Sequence, residues 1–298
     1  MPDTDKMPDV VYHYTSMDTL TKIVTNKHLW ATSIFFLNDI SERELFLTLA
    51  EERIPALLSE LDGIVLPLHL HKTSEVSYAP FVTSFASQSD SLLHWRAYCP
   101  QQNGVAIGFR TACLAEARID QKSEPGMLIP GCMFSPIRYI GPDSTSDIDH
   151  ALRFTYKHAA TYFADNKAFV NEHKLDFTEF FSLTLEGVAS LFKHEAFEVE
   201  REYRLVLEDV RSRDDAMHFR TTRSTLVPYV PLRIPSLKDV QLLTGRAQAT
   251  HPFWDAISSV TIGPTVNLPL STLAMEAFFT SKGMNIEIRQ SKVPYRDW

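Results

Sequence analysis

The run Phe197-Glu198-Val199-Glu200-Arg201-Glu202-Tyr203-Arg204-Leu205-Val206-Leu207 constrains this chain more than any other segment. Three carboxylates and two guanidinium groups enter a stretch whose second half, Tyr203 to Leu207, is aromatic and aliphatic like a buried strand. Read as one strand, it sends Glu198, Glu200, Glu202 and Arg204 to one face. Phe197, Val199, Arg201, Tyr203 and Leu205 go to the other. Like charges two residues apart repel, and a buried carboxylate without a partner is costly or takes up a proton. That face is therefore either solvated, with Glu–Arg pairing, or the lining of a polar cleft.

The rest of the chain reads as an ordinary globular protein. Its 298 residues suffice for a sizeable core, and 44% are hydrophobic against 22% charged. The formal net charge of −8 argues against general nucleic-acid binding, which needs a basic surface. Three cysteines, Cys99, Cys113 and Cys132, show no paired spacing, which fits a reducing compartment. No apolar run approaches the length of a membrane span and no targeting segment is visible, so the expected location is the cytoplasm.

Strand and helix signals are mixed without a regular βαβ rhythm, which predicts an α+β fold. Residues 1–9 read as a flexible N-terminus, and 10–298 as a single α+β domain with a helical insert at about 145–193. Val10 to Tyr14 is a predicted strand, followed by a helix capped by Ser16. Ser41 with Glu44 makes a capping box for a helix to about Leu61, which Pro55 should end or kink. Prolines 228, 231 and 235 limit 226–234 to an edge strand or extended segment. Asp209 to Asp215 reads as a charged flap.

Several clusters could carry chemistry. Tyr12-His13-Tyr14-Thr15 places a histidine between tyrosines at a strand end, suited to sugar hydroxyls and flat rings, or simply to a core aromatic strand. Thr83-Ser84-Phe85 alternates hydroxyls with apolar residues, and Ser84 could share a cleft with the acidic face. His94, Trp95 and Tyr98 form an aromatic group on a short helix. Asn38, Asp39 and Glu42 could be metal ligands or helix caps. Leu68-His69-Leu70-His71 lacks a further ligand at zinc spacing, and no metal is expected. Arg204 should pair with a carboxylate, with Asp39 or Glu42 as possible partners. The segment Ser291 to Trp298 should dock, because Pro294, Tyr295 and Trp298 offer large apolar area. Phosphate-loop, GxGxxG, HExxH and GxSxG patterns are absent from the sequence.

These pieces in order resemble the bacterial DUF2971 family, a domain of unknown function. The likeness rests on Tyr12-His13-Tyr14-Thr15, Leu29-Trp30, Leu37-Asn38-Asp39 with Glu42, Ser84-Phe85, Trp95, Tyr98 and Gly104-Val105. It continues through Lys193, Glu200-x-Glu202-Tyr203-Arg204, Ile262-Gly263-Pro264 and Ser291-x-x-Pro294-Tyr295-Arg296. The order of histidine strand, hydroxyl strand and late glutamates is also similar to the ADP-ribosyltransferase fold. That resemblance implies mixed central sheets and NAD as substrate. It implies catalytic Glu202 and Glu200, and an NAD site drawn from Tyr12, His13, Thr15, Ser84, Trp95 and Arg204. His13, Ser84 and Glu202 should then line one cleft. The chain departs from that pattern in its helical insert and in lacking a Ser-Thr-Ser triplet. The implied activity is NAD-dependent ADP-ribosyl transfer or NAD hydrolysis, as in a toxin or phage-defence effector, with the acceptor undefined. The alternatives are a non-catalytic module binding a nucleotide or a protein, and a metal-assisted nuclease.

Overall fold

The computed structural model describes residues 7–37, 41–60, 76, 79–99, 102–119, 132–141, 143–172, 174–207, 216–222, 224–242 and 253–294. In chain order these form β1 (Val10–Ser16), α1 (Met17–Asn26), β2 (Leu29–Ser33), α2 (Ser41–Glu60), β3 (Phe81–Ala86), α3 (Leu92–Tyr98), β4 (Gly104–Arg110), α4 (Thr111–Leu114), β5 (Arg118–Ile119), β6 (Cys132–Pro136) and β7 (Arg138–Ile140). There follow α5 (Thr145–Asp165), α6 (Lys167–Glu172), α7 (Phe177–Ala189), β8 (Phe192–His194), β9 (Glu202–Leu207), β10 (His218–Thr221), β11 (Leu226–Arg233), α8 (Leu237–Leu242), β12 (Ile257–Ile262), α9 (Leu268–Ser281) and β13 (Glu287–Gln290). The class is α+β.

One large mixed sheet organises the chain, in the order β10-β11-β2-β3-β1-β4-β12-β13, with β9 on the other edge of β3 and β6 beyond β9. All of these pairings are antiparallel except β12 with β13. Alternation along the strands divides the core. Phe81, Phe85, Leu205 and Leu207 face a first cluster with Leu20, Ile23 and Val24 of α1 and Met275 and Phe279 of α9. Val82 and Val206 face a second cluster, built with Phe46, Leu47, Ala50, Ile54 and Leu57 of α2, Leu152 of α5 and Leu185 of α7. The predicted insert is thus the helical layer over one end of the sheet's second face. A third, smaller cluster of Tyr14, Ala86, Trp95 and Ala106 lies elsewhere on that face.

Three local expectations need adjusting. Residues 197–200 are not strand: Glu195–Glu200 is a 3-10 turn, Arg201 takes a left-handed conformation at φ 45°, and β9 begins at Glu202. The α2 helix continues through Pro55, its apolar side held by the second cluster. β11 is an interior strand despite its prolines. It pairs with β10 over Leu226 to Tyr229, with β2 over Tyr229 to Leu232, and with β5 only at Leu232 and Arg233. Pro228 therefore precedes the β2 register and Pro231 falls between those of β10 and β5, so neither ring interrupts a ladder on both sides. The α1 cap matches expectation, with Ser16 accepting from the Thr19 amide at 3.0 Å. The predicted 209–215 flap and the 68–71 histidines lie outside the described residues.

Candidate functional site

A fork in the sheet builds the site. β2 pairs with β3 at Phe81 and Val82, whereas β1 pairs with the same edge at Ala86. Between those registers the edge of β3 at Thr83 to Phe85 faces the divergence of the two strands. Across the fork, His13 Nδ1 is 3.0 Å from the Ser84 carbonyl oxygen. The carbonyl only accepts, so the imidazole proton sits on Nδ1 and Nε2 is left as an acceptor. His13 lies deep in the molecule but keeps part of its surface open, and burial lowers its pKa. On the far bank the Thr83 hydroxyl donates to the Trp30 carbonyl at 2.9 Å.

The opposite edge of β3 positions the charged groups. Ser84 stands across from Arg204, and Ala86 from Glu202. Glu202 and Arg204 share the second face, between the apolar pairs that flank them, and are only 6% and 4% exposed. Arg204 donates from Nε to Glu202 Oε1 at 2.6 Å and from Nη2 to Oε2 at 3.2 Å, and its Nη1 donates to the Ser190 carbonyl at 2.8 Å. Lys193 Nζ bridges Glu202 Oε2 at 3.1 Å and Glu200 Oε2 at 3.0 Å. Burial alone would raise the Glu202 pKa. Arg204, Lys193 and the Ser84 hydroxyl overcome it and hold the carboxyl down at about 2. Two carboxylates thus balance two cations in a buried network.

An aromatic layer completes this bank. The Tyr98 hydroxyl donates to Glu200 Oε2 at 2.9 Å. His94 stacks on Tyr14 at 4.9 Å and lies 5.9 Å from Tyr98. Its Nδ1 is buried and has no hydrogen-bond partner among the described residues. Burial lowers the His94 pKa, with the nearby Glu200 pulling the other way. Tyr139 accepts from the Glu202 amide at 2.8 Å, and burial pushes its hydroxyl up to about 12.

The predicted site residues separate. Ser84, Glu200, Glu202 and Arg204 come together, and the Arg204 partner is Glu202. Asp39 and the Glu42 side chain lie outside the described residues. Tyr12 shares the face of Ser84, while His13 points to the opposite face and reaches Ser84 only at the fork. Trp95 is 3% exposed, donates to Asp90 at 2.8 Å and packs against Gly104 and Gly263, which makes it a packing anchor. Thr15 is half-buried at the end of β1, where its carbonyl accepts from the Cys99 thiol at 3.4 Å. Lys193 was missed as a site residue. Its signal is an ammonium directly after the apolar pair Leu191-Phe192. Among the described residues no group of three or more His, Cys, Asp or Glu could hold a metal ion.

Residues 94–205, from the aromatic helix to the charged strand, match the family model described as a protein of unknown function, DUF2971. That stretch is similar to DUF2971 over 112 of the 298 residues. No curated protein and no solved structure matches the chain significantly. The DUF2971 segment contains the whole Lys193–Glu200–Glu202–Arg204 network, together with His94 and Tyr98; His13 and Ser84 reach it from outside the matched range.

Proposed function

We propose that this protein acts on NAD, cleaving the nicotinamide–ribose bond as an ADP-ribosyltransferase or NAD glycohydrolase. One observation carries the reading. His13, Ser84 and Glu202 sit on three strands in immediate lateral contact, linked at the fork of β1, β2 and β3. Cleavage of a glycosidic bond builds positive charge on the ribose. A fixed, ionised carboxylate in a water-poor site stabilises such charge. Glu202 supplies that anion. Glu200 Oε2 is engaged, but its Oε1 accepts from no described residue, which suits it to an acceptor hydroxyl or a water. His13 Nε2 is an open acceptor for a ribose hydroxyl.

The test is nicotinamide release from NAD by wild type, Glu200→Gln and Glu202→Gln, compared at equal folded fraction. The expected loss is about 10²–10³-fold in rate for Glu202→Gln. Equal rates in wild type and Glu202→Gln end the catalytic reading of this strand. A second reading, a non-catalytic nucleotide-binding module, is favoured by the engagement of both Glu202 oxygens with Arg204 and Lys193. It predicts nucleotide binding without nicotinamide release.

A further inference from the structure

Arg220 on β10 differs from three other arginines that leave the surface, and from Arg110, which is half-buried too but spends its Nε on the Asp255 carbonyl. Arg43 meets Glu186, Arg53 meets Asp149 and Arg204 meets Glu202, each through two hydrogen bonds to the carboxylate. Arg220 is half-buried, yet its one hydrogen bond is from Nη2 to the Thr32 hydroxyl at 2.9 Å, and no carboxylate lies against it among the described residues. Its guanidinium carbon lies 5.6 Å from the Trp30 ring and 5.9 Å from the Tyr229 ring. Removing a guanidinium from water without an anion is unfavourable, and aromatic faces offset only part of the loss. Desolvation accordingly lowers its pKa.

The position of this cation matters as much as its lack of a counter-charge. Strand registers put Arg220, Tyr229, Trp30 and Thr32 on the sheet face that carries Ser84. Trp30 belongs to β2, the bank of the fork opposite His13, and Arg220 is near enough to His13 to depress its pKa. A rigid, planar donor set with unused N–H groups, set against a pair of rings 5.1 Å apart beside an open strand edge, matches the oxygens of a phosphate.

We propose that Arg220, set against the Trp30–Tyr229 ring pair, is an anion-binding residue of the fork and takes a phosphate of a nucleoside diphosphate. The inference deepens the NAD reading, on which it rests for the choice of nucleotide. The diphosphate would lie on the β2 bank, on the sheet face that carries Ser84, and reach His13 only through the fork.

Calorimetry with ADP and with adenosine tests it on the full chain. Wild type is expected to bind ADP more tightly than adenosine. Arg220→Gln should weaken ADP about 10–100-fold, as loss of a charge-assisted contact does, and leave adenosine unchanged. ADP affinity unaltered in Arg220→Gln, or a wild type that does not prefer ADP, overturns the assignment. If Arg220→Gln fails to fold, Arg220→Lys replaces it. Losing the bidentate geometry should then cost ADP roughly fivefold and adenosine nothing, and an unchanged ADP affinity overturns the assignment. Nicotinamide release is followed separately. Arg220-dependent ADP binding without turnover keeps the anion site and removes the NAD reaction. Turnover with ADP affinity unaltered in the variant does the reverse.

Discussion

Glu202 and Arg204, two residues apart on β9, form a bidentate pair with Nε–Oε1 at 2.6 Å and Nη2–Oε2 at 3.2 Å. The pair is buried, and Lys193 adds a second cation to the same carboxylate. Glu202→Gln therefore cannot be a silent change of charge. It leaves Arg204 and Lys193 with Glu200 as their remaining anion in the network, and should cost about 3–5 kcal/mol of stability. Chemical denaturation checks this. A loss below about 1 kcal/mol contradicts the view that this network holds this part of the fold together.

Acid should act on the same groups in two stages. The folded-state pKa values of His13 and His94 lie below the ordinary 6.5, so the unfolded chain binds more protons once the pH drops under that value. Their contribution is complete above about pH 6.5 and is lost progressively as the pH falls below it. Glu202 lies at about 2 instead of 4.5, so its contribution is present above 4.5 and lost as the pH falls from there towards 2. Melting temperatures from pH 8 to pH 3 should fall in both windows. His94→Phe, which keeps the stacked ring, should flatten the first, and an unchanged slope in that variant removes His94 from the account.

Asp90 ties the last described residues to the body. Its carboxylate accepts from Trp95 Nε1 at 2.8 Å, Ser291 Oγ at 2.6 Å and the Lys292 amide at 2.7 Å. The docking predicted for the C-terminus thus holds at Ser291 to Val293, whereas Tyr295 to Trp298 lie outside the described residues. Asp90→Ala should cost about 2–3 kcal/mol, hydrogen bonds to a charged group being worth about 1.5–3 kcal/mol and not additive. It should also speed amide exchange at Ser291 to Val293. Exchange there no faster than in wild type means that other contacts hold the segment.

Arg201 is the point where the 3-10 turn becomes β9, at φ 45° and ψ 54°. A left-handed conformation costs a side-chain-bearing residue about 1–2 kcal/mol, and glycine largely escapes that cost. Its side chain is exposed. Arg201→Gly should raise stability by up to about 1 kcal/mol, seen as a small rise in melting temperature. A fall of that size would assign the side chain a structural contact.

The Gly104 and Gly263 backbones approach Trp95 and Cys99 closely. A Cβ on Gly104 would meet Cys99 Cβ at 2.6 Å, and one on Gly263 would meet Trp95 at 3.0 Å. Gly104→Ala should cost about 1–3 kcal/mol by overpacking, measured by denaturant unfolding. A neutral result would show that α3 shifts freely on β4.

The sequence by itself determined what depends on neighbours along the chain. The α+β class, the hydroxyl–apolar alternation of Phe81 to Ala86, the Ser16 cap and the buried half of Tyr203 to Leu207 all follow from local periodicity and capping chemistry, and the structure carries them. The tertiary structure decided what depends on register between distant strands. Only β3 pairing with β9 sets Ser84 opposite Arg204, and only β1 and β2 dividing one edge of β3 opens the fork. The acidic run reads as one strand because its residue types alternate. In the fold Lys193 draws Glu200 and Glu202 to a single ammonium, and the chain meets that geometry by a 3-10 turn and a left-handed Arg201. Arg220 gave no signal, since an exposed, paired or unpaired arginine looks the same in sequence. Its distinction is the lack of a carboxylate partner within a half-buried aromatic setting, which exists only once β10, β11 and β2 are side by side.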